Sequence, residues 1–468
     1  MLKVGRLDAG AIIALMHHNP RRRCAIMPDK KKDEASDFRY ETGEARIPWA
    51  AVGEQIREDD ILALIKFLLR PARGEEKKYD AHLKKVAAQL RDLGAVSTPA
   101  GKLSLAGNVQ ALEEATARFL GAKHAVFITN ATAGFEIAFK YAGLKPGDEV
   151  IAPALTFIAT IAYPLAMGAK VVLSDVEPRS LNMDPADVAR KITPRTKAII
   201  PVHLGGYPVD MAPLMKLARK HNITVIEDAA HAFGASYRGK MIGTIGHFGS
   251  FSFHEVKNVT SLGEGGILTS TTAFGRELRR ARFLGLDLTH PIPNWLYDVP
   301  AFDGKDGPFF TGNYSTTEIQ ALGLLTQMKR LQRIIAKRKK AAQYLDKRFA
   351  KVDGLLTPPG DDARIKSTYH LYLLQIEPGK VGGDIQALKK KLDARGVVQI
   401  PHFAPLYKFS VMRQLGYDTA AMEKTCPVAE EAFQHRFTHL PLYDFTREQL
   451  AYLADAVIES IGEMKRGV

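Results

Sequence analysis

The sequence predicts an α/β fold, a mostly parallel sheet with helices on both faces, followed by a smaller C-terminal α+β domain. Three observations predict it. Short apolar runs alternate with helical stretches between residues 124 and 226, the order expected of a parallel sheet. After Glu318 the pattern changes to a long basic helical stretch and then a mixed segment. The chain has 468 residues, 46% hydrophobic and 25% charged, close to the globular average and enough for two packed cores.

Taken in order, residues 1–45 are rich in charge, with Lys30 to Lys32 beside Asp33 and Glu34, and carry neither helical nor strand periodicity. They read as a flexible extension. Residues 59–69 and 79–93 repeat apolar positions at helical spacing and form a helical lead-in. Runs at 124–128, 149–152, 170–174, 198–202 and 223–226 read as buried strands, with helices at 133–141, 157–167, 184–191 and 211–221 between them. A helical stretch from 318 to about 349 leads to strand-like 369–375, a helix over 385–394 and an apolar run at 397–400. The expected domains are therefore 46–320, with an insert near 71–101, and 321–468.

Composition removes several function classes. Two cysteines, Cys24 and Cys426, cannot build a disulfide framework, a four-thiolate zinc site or a cysteine-ligated iron–sulfur cluster, and they suit a reducing, cytoplasmic setting. The apolar run 9–16 is too short to span a bilayer, and His17, His18 and Arg21 to Arg23 follow it in place of a cleavage site. A net charge of +14 permits nucleic-acid binding, but the basic residues are spread along the chain with no nucleic-acid-binding motif, so solvated basic faces are expected.

In a doubly wound sheet, ligands collect at the carboxyl ends of the strands. Four such ends matter here. Thr129 to Gly134 join a strand to a helix and offer small residues and backbone N–H groups to an anion such as phosphate, with an ordinary N-cap by Asn130 or Thr132 as the plain alternative. Phe157, after the strand ending near Pro153, suits a planar ring or the core. Glu227, Asp228 and His231 follow a strand and bring two carboxylates and an imidazole to one crevice; an ionised Asp228 would keep a pyridine nitrogen protonated, although a carboxylate there also caps helices. Lys257 lies between a strand and the glycine-rich turn Gly263 to Gly266, five positions after Ser252, and suits a Schiff base.

On these residues the chain resembles the DegT/StrS-type sugar aminotransferases among the fold-type I pyridoxal-phosphate (PLP) enzymes. The family's "GDEVI-P-TF-AT" pattern is matched by Gly147 to Ile151, Pro153 and Thr156 to Thr160, "EDAA-A-GA-Y-G" by Glu227 to Gly239, and "FSFH--KN---GEGG" by Phe251 to Gly266. Gly312, Asn313 and Tyr314 resemble a family turn, and His402 to Leu406, Cys426 to Glu430 and Leu440 to Leu442 extend the likeness to the C-terminus.

The resemblance implies a fold-type I architecture with a seven-stranded-type sheet, and pyridoxal 5'-phosphate as cofactor. It implies Lys257 as Schiff-base lysine and acid/base, Asp228 on the ring nitrogen, His231 near the ring hydroxyl and Phe157 stacked on the ring. Thr132, Ala133 and Ser252 would hold the phosphate, joined by Asn313 from the partner of a homodimer with shared active sites. The implied reaction moves an amino group from glutamate or glutamine to a keto sugar, nucleotide-linked, or a keto-cyclitol. An aromatising dehydratase of the aminohydroxybenzoate-synthase kind, with histidine at the place of His231, is the nearest alternative, and a non-catalytic PLP-binding regulator a more distant one. Departures include His231 where many relatives carry glutamine, Ala131 for a usual glycine, and Ser315 for a common arginine.

Overall fold

The computed structural model describes residues 56–98, 102–287, 299–398 and 403–467. The expected extension 1–45, His402, and Gln399 and Ile400 of the apolar run lie outside them. The chain splits into two compact units, 1–101 and 102–468.

The described part of the first unit is a helical hairpin, α1 (Glu58–Leu68) and α2 (Glu76–Gly94). Three carboxylates in the first turn of α1 and Lys66 in its last suit the helix dipole. Neither helix has a buried residue.

The second unit opens with α3 (Gly107–Leu120) and then builds its sheet from β1 (Ala125–Ile128), β2 (Glu149–Pro153), β3 (Lys170–Ser174), β4 (Thr196–Ile199), β5 (Thr224–Asp228), β6 (Phe248–Ser252) and β7 (Gly266–Ser270). The strand order is β1-β7-β6-β5-β4-β2-β3. Its pairings are parallel from β3 through β6, and only β7 runs against its two neighbours. The fold is thus α/β with a mostly parallel seven-stranded sheet, as the alternating pattern predicts. Helices α4 (Ala131–Tyr141), α5 (Ala159–Ala166), α6 (Pro185–Lys191) and α7 (Met211–His221) fill the connections. Neighbouring residues on β5 face opposite cores: Ile226 joins one apolar cluster and Val225 the other.

The expected strand 198–202 is shorter and shifted, because Pro201 has no N–H to give the ladder; β4 stops at Ile199 and Val202 makes only an isolated bridge to Asp228. The expected single helix after Glu318 is two, α8 (Glu318–Met328) and α9 (Leu331–Phe349). Thr317 and Gln320 form a capping box at the start of α8.

Beyond α9 a three-stranded sheet includes β8 (Tyr372–Ile376) and β9 (Phe437–Leu440), which pair antiparallel, backed by α10 (Ile385–Ala394) and α11 (Arg447–Arg466). Val397 and Val398 form no strand. Leu374 packs in this region's own core with Phe349, Leu388 and Val457, while its neighbour Leu373 turns to the cluster against the main sheet. Among the described residues no helix is long and apolar enough to cross a membrane.

Candidate active site

The carboxyl end of β5 is the centre. Asp228 is buried, and its carboxylate accepts from the Thr160 hydroxyl at 2.8 Å and from the Ala230 N–H at 3.2 Å. Thr160 in turn shares a 2.8 Å hydrogen bond with Thr156, one helical turn earlier. Burial pushes the Asp228 carboxyl up from its ordinary pKa, against the pull of Thr160, Ala230, Lys257 and His203. This is a carboxylate held short of partners.

Glu227 is the opposite case and corrects the expectation of two carboxylates in one crevice. Period-two alternation turns it to the other side of the strand. There it accepts from the N–H groups of Gly243 (2.9 Å), Ile245 (2.8 Å) and Gly246 (2.7 Å) and lies 3.2 Å from His203 Nε2. Because Val209 N–H donates to His203 Nδ1 at 3.1 Å, Nε2 is the protonated nitrogen and donates to Glu227. Glu227 thus ties down a loop.

β6 lies beside β5, with Ser250 level with Asp228. Ser250 Oγ donates to Ala131 O at the start of α4, and Ser252, two positions on, shares that face at the strand's end. Two glycines permit this approach: a Cβ on Gly134 would collide with Ser250 Oγ, and one on Gly266, the β7 partner of Ser252, would collide with Asn130 backbone. The N-terminus of α4 therefore lies beside Ser252. Thr132 is half-buried there. The Ala133 N–H is already taken by Asn130 Oδ1 at 3.0 Å, so Asn130 is the N-cap and the groups left for an anion are the N–H groups of Ala131 and Thr132 and the hydroxyls of Thr132 and Ser252.

Lys257 follows β6 in a turn closed by its N–H to His254 O at 2.9 Å. Its ammonium makes no hydrogen bond among the described residues. Burial lowers its pKa to about 8, although Asp228 and Glu264 pull upward. Phe157 is 58% exposed, which removes the core reading of that aromatic. The His231 ring lies 4.5 Å from the ring of His370 and 5.9 Å from that of Phe403. Asn313 is exposed, with its Oδ1 accepting from the Ser315 N–H and hydroxyl, so its amide N–H groups face outward.

Asp228, Lys257, His231, Ser252 and the α4 N-terminus thus converge, and Phe157 is tied to them through the Thr156–Thr160–Asp228 chain. Thr160, His203, Asn258 and His370 were not anticipated. His203 follows a predicted strand just as Asp228 does, and Thr156 and Thr160 stand four apart at a helix start, so both had a sequence signal. Asn258 stands beside Lys257 in the Lys-Asn pair of the family pattern, whereas His370 had no signal.

The residues fit a flat, phosphorylated, aldehyde-bearing cation. A half-buried lysine without a hydrogen-bond partner, an under-satisfied buried carboxylate and a helix N-terminus flanked by hydroxyls offer a nucleophile, a counter-ion and an anion seat.

Comparison with known proteins agrees. A family model for the DegT/DnrJ/EryC1/StrS aminotransferases matches residues 88–458. The chain is 36% identical to a GDP-perosamine synthase of Caulobacter vibrioides over 317 residues, 68% of this chain and 81% of that protein. Among solved structures it superposes with a TM-score of 0.67 and 26% identity on the PLP form of Spr1654, a Streptococcus pneumoniae protein assigned as a sugar aminotransferase, covering 78% of this chain and 94% of that one. For 3-amino-5-hydroxybenzoic acid synthase the values are 0.66 and 27%, covering 76% and 91%. The chain therefore belongs to the DegT/DnrJ/EryC1/StrS aminotransferase family and is a PLP-dependent aminotransferase.

Proposed function

We propose that this aminotransferase makes an amino sugar, taking an amino group from glutamate or glutamine and placing it on the carbonyl of a nucleotide-linked keto sugar. The observation that carries the reading is Lys257, a lysine held in the site without a hydrogen-bond partner and with a pKa near 8. The sugar class rests on the relatives, the GDP-perosamine synthase above all. Lys257 is the catalytic acid and base: its amine, in part neutral near pH 8, takes a proton from the donor's amino carbon and later returns one to the acceptor.

Bound PLP supplies the electron sink for that proton transfer. Asp228 supports it as the counter-ion of the ring nitrogen, kept dry by burial and oriented by Thr160 and Ala230. Thr132, Ser252 and the first N–H groups of α4 would seat the phosphate, Phe157 would cover the ring and His231 would hold the ring hydroxyl. Ala133 contributes backbone shape, its N–H being engaged by Asn130. The outward amide of Asn313 suits a phosphate contact across a homodimer with shared active sites. The protein is read as cytoplasmic.

A second reading has support of its own. His231 and the likeness to 3-amino-5-hydroxybenzoic acid synthase favour an aromatising dehydratase on the same cofactor. The deciding experiment is an absorbance spectrum of the holoenzyme before and after glutamate or glutamine. Conversion of the lysine-bound band to that of the aminated cofactor supports transamination. An unchanged band with both donors favours the dehydratase. Lys257→Ala is expected to lose the lysine-bound band and about a thousandfold or more in turnover; normal turnover in that variant sinks the assignment.

A further inference from the structure

The Lys257 loop is clasped from a distant part of the chain. Asn258, the next residue, donates through Nδ2 to Thr368 O at 3.0 Å. That bond fixes which end of the amide is nitrogen, so Asn258 Oδ1 is the atom 3.0 Å from His370 Nδ1. A carbonyl oxygen only accepts, and His370 Nδ1 must therefore carry the proton.

The segment that supplies these groups is itself held firmly. Ser367 Oγ and Thr368 N–H both donate to Gly206 O, at 3.0 and 3.1 Å, and Leu371 N–H donates to Gly205 O at 3.1 Å. Arg338 donates to His370 O at 3.1 Å. The same segment reaches the other side of the site, since Thr368 Oγ1 donates to His231 O at 2.7 Å and the His370 ring lies against that of His231. Residues 367–370, just before β8, thus hold both the Lys257 turn and the His231 segment.

From this geometry, and resting on the role given to Lys257 above, we infer that Asn258 and His370 are positioning residues whose hydrogen bond keeps the Lys257 amine inside the site. The groups around His370 suit that task. Burial above all, and then the like charge of His231, Lys257, Arg338 and His439 when protonated, hold its pKa well below the ordinary range. His370 is then a neutral ring with one fixed N–H, which goes to Asn258. Without the tether the turn opens, water reaches Lys257, and the burial that depresses its basicity is relieved.

The test uses the full-length chain freed of cofactor and an amine-selective acylating reagent, with labelling at Lys257 followed against pH by peptide mass spectrometry. In the unaltered protein the midpoint is expected near 8. In His370→Phe, which keeps a flat ring against His231 but has no donor, it should rise by about one pH unit. The reloaded variant should lose on the order of tenfold in kcat, with KM for both substrates nearly unchanged. Asn258→Ala removes that bond together with the one to Thr368 O and should move the midpoint at least as far. His370→Gln, which retains an N–H donor, should recover part of both effects. If His370→Phe does not fold, Asn258→Ala decides. An unmoved midpoint in folded variants overturns the inference whatever happens to the rate. A Lys257→Ala enzyme of normal turnover would overturn the catalytic reading alone and leave the labelling result standing.

Discussion

Glu227 and Asp228 are consecutive on β5, both carboxylates, both buried, and they face opposite sides of the sheet with opposite degrees of satisfaction. Glu227 accepts from three backbone N–H groups and an imidazole. Asp228 accepts from one hydroxyl and one N–H. A carboxylate has lone pairs for about four donors, so the first is complete and the second has room for a partner that the chain does not supply. The difference separates a residue that stabilises the fold from one that destabilises it in favour of a ligand. Identity and burial alone do not distinguish them.

Exchanging each acid for its amide should pull the two apart. Asp228→Asn is expected to have the largest effect on catalysis, on the order of a hundredfold or more in kcat, because the neutral side chain no longer supports a protonated ring nitrogen. Its effect on the fold should run the other way. A carboxyl whose pKa is raised on folding loses stability as pH rises from its unfolded value through its folded one, so above the ordinary carboxylate range Asp228 weakens the fold. The amide should therefore leave the melting temperature of the cofactor-free protein unchanged or higher, and a fall of several degrees would contradict the comparison. Glu227→Gln should do the reverse. It turns an NH2 group toward N–H donors and should cost about 2 kcal/mol, read as a lower melting temperature, with activity per folded molecule largely kept.

Proton inventory sharpens the contrast further. Lys257 acts as a base only when neutral, so kcat should climb with pH and level off above about 8. A flat profile from pH 6 to 9 would argue against Lys257 as the proton carrier. The smallest expected effect is that of Thr160→Val, which removes the hydroxyl from Asp228 and should lower kcat by roughly threefold to tenfold without a change in fold.

Asp228 and Lys257 were legible in the sequence because each follows a strand, and a parallel sheet delivers strand ends to one edge. The sheet itself was legible for the same reason, since apolar runs and helices alternate. What was not legible depends on which way a side chain turns or on distant contacts. Glu227 looked like a second site carboxylate until the pleat placed it behind the strand. Ala133 reads as a phosphate-holding residue, and which of its groups is already engaged, the N–H by Asn130, is seen only in three dimensions. Asn258 meets His370 across 112 positions of sequence, and no local pattern announces such a pair. The break between α8 and α9 has no glycine or proline to mark it.

The chain of hydroxyls from Thr156 through Thr160 to Asp228 has a consequence of its own. A hydroxyl can turn, so the chain has two directions: with Asp228 ionised, Thr160 donates to the carboxylate, and with Asp228 protonated, the acid donates to Thr160 and Thr160 to Thr156. Both arrangements link the same heavy atoms. The acid can thus change its charge while two hydrogens swing and the backbone stays where it is, which makes the pair of threonines a silent reversible switch at the foot of the site.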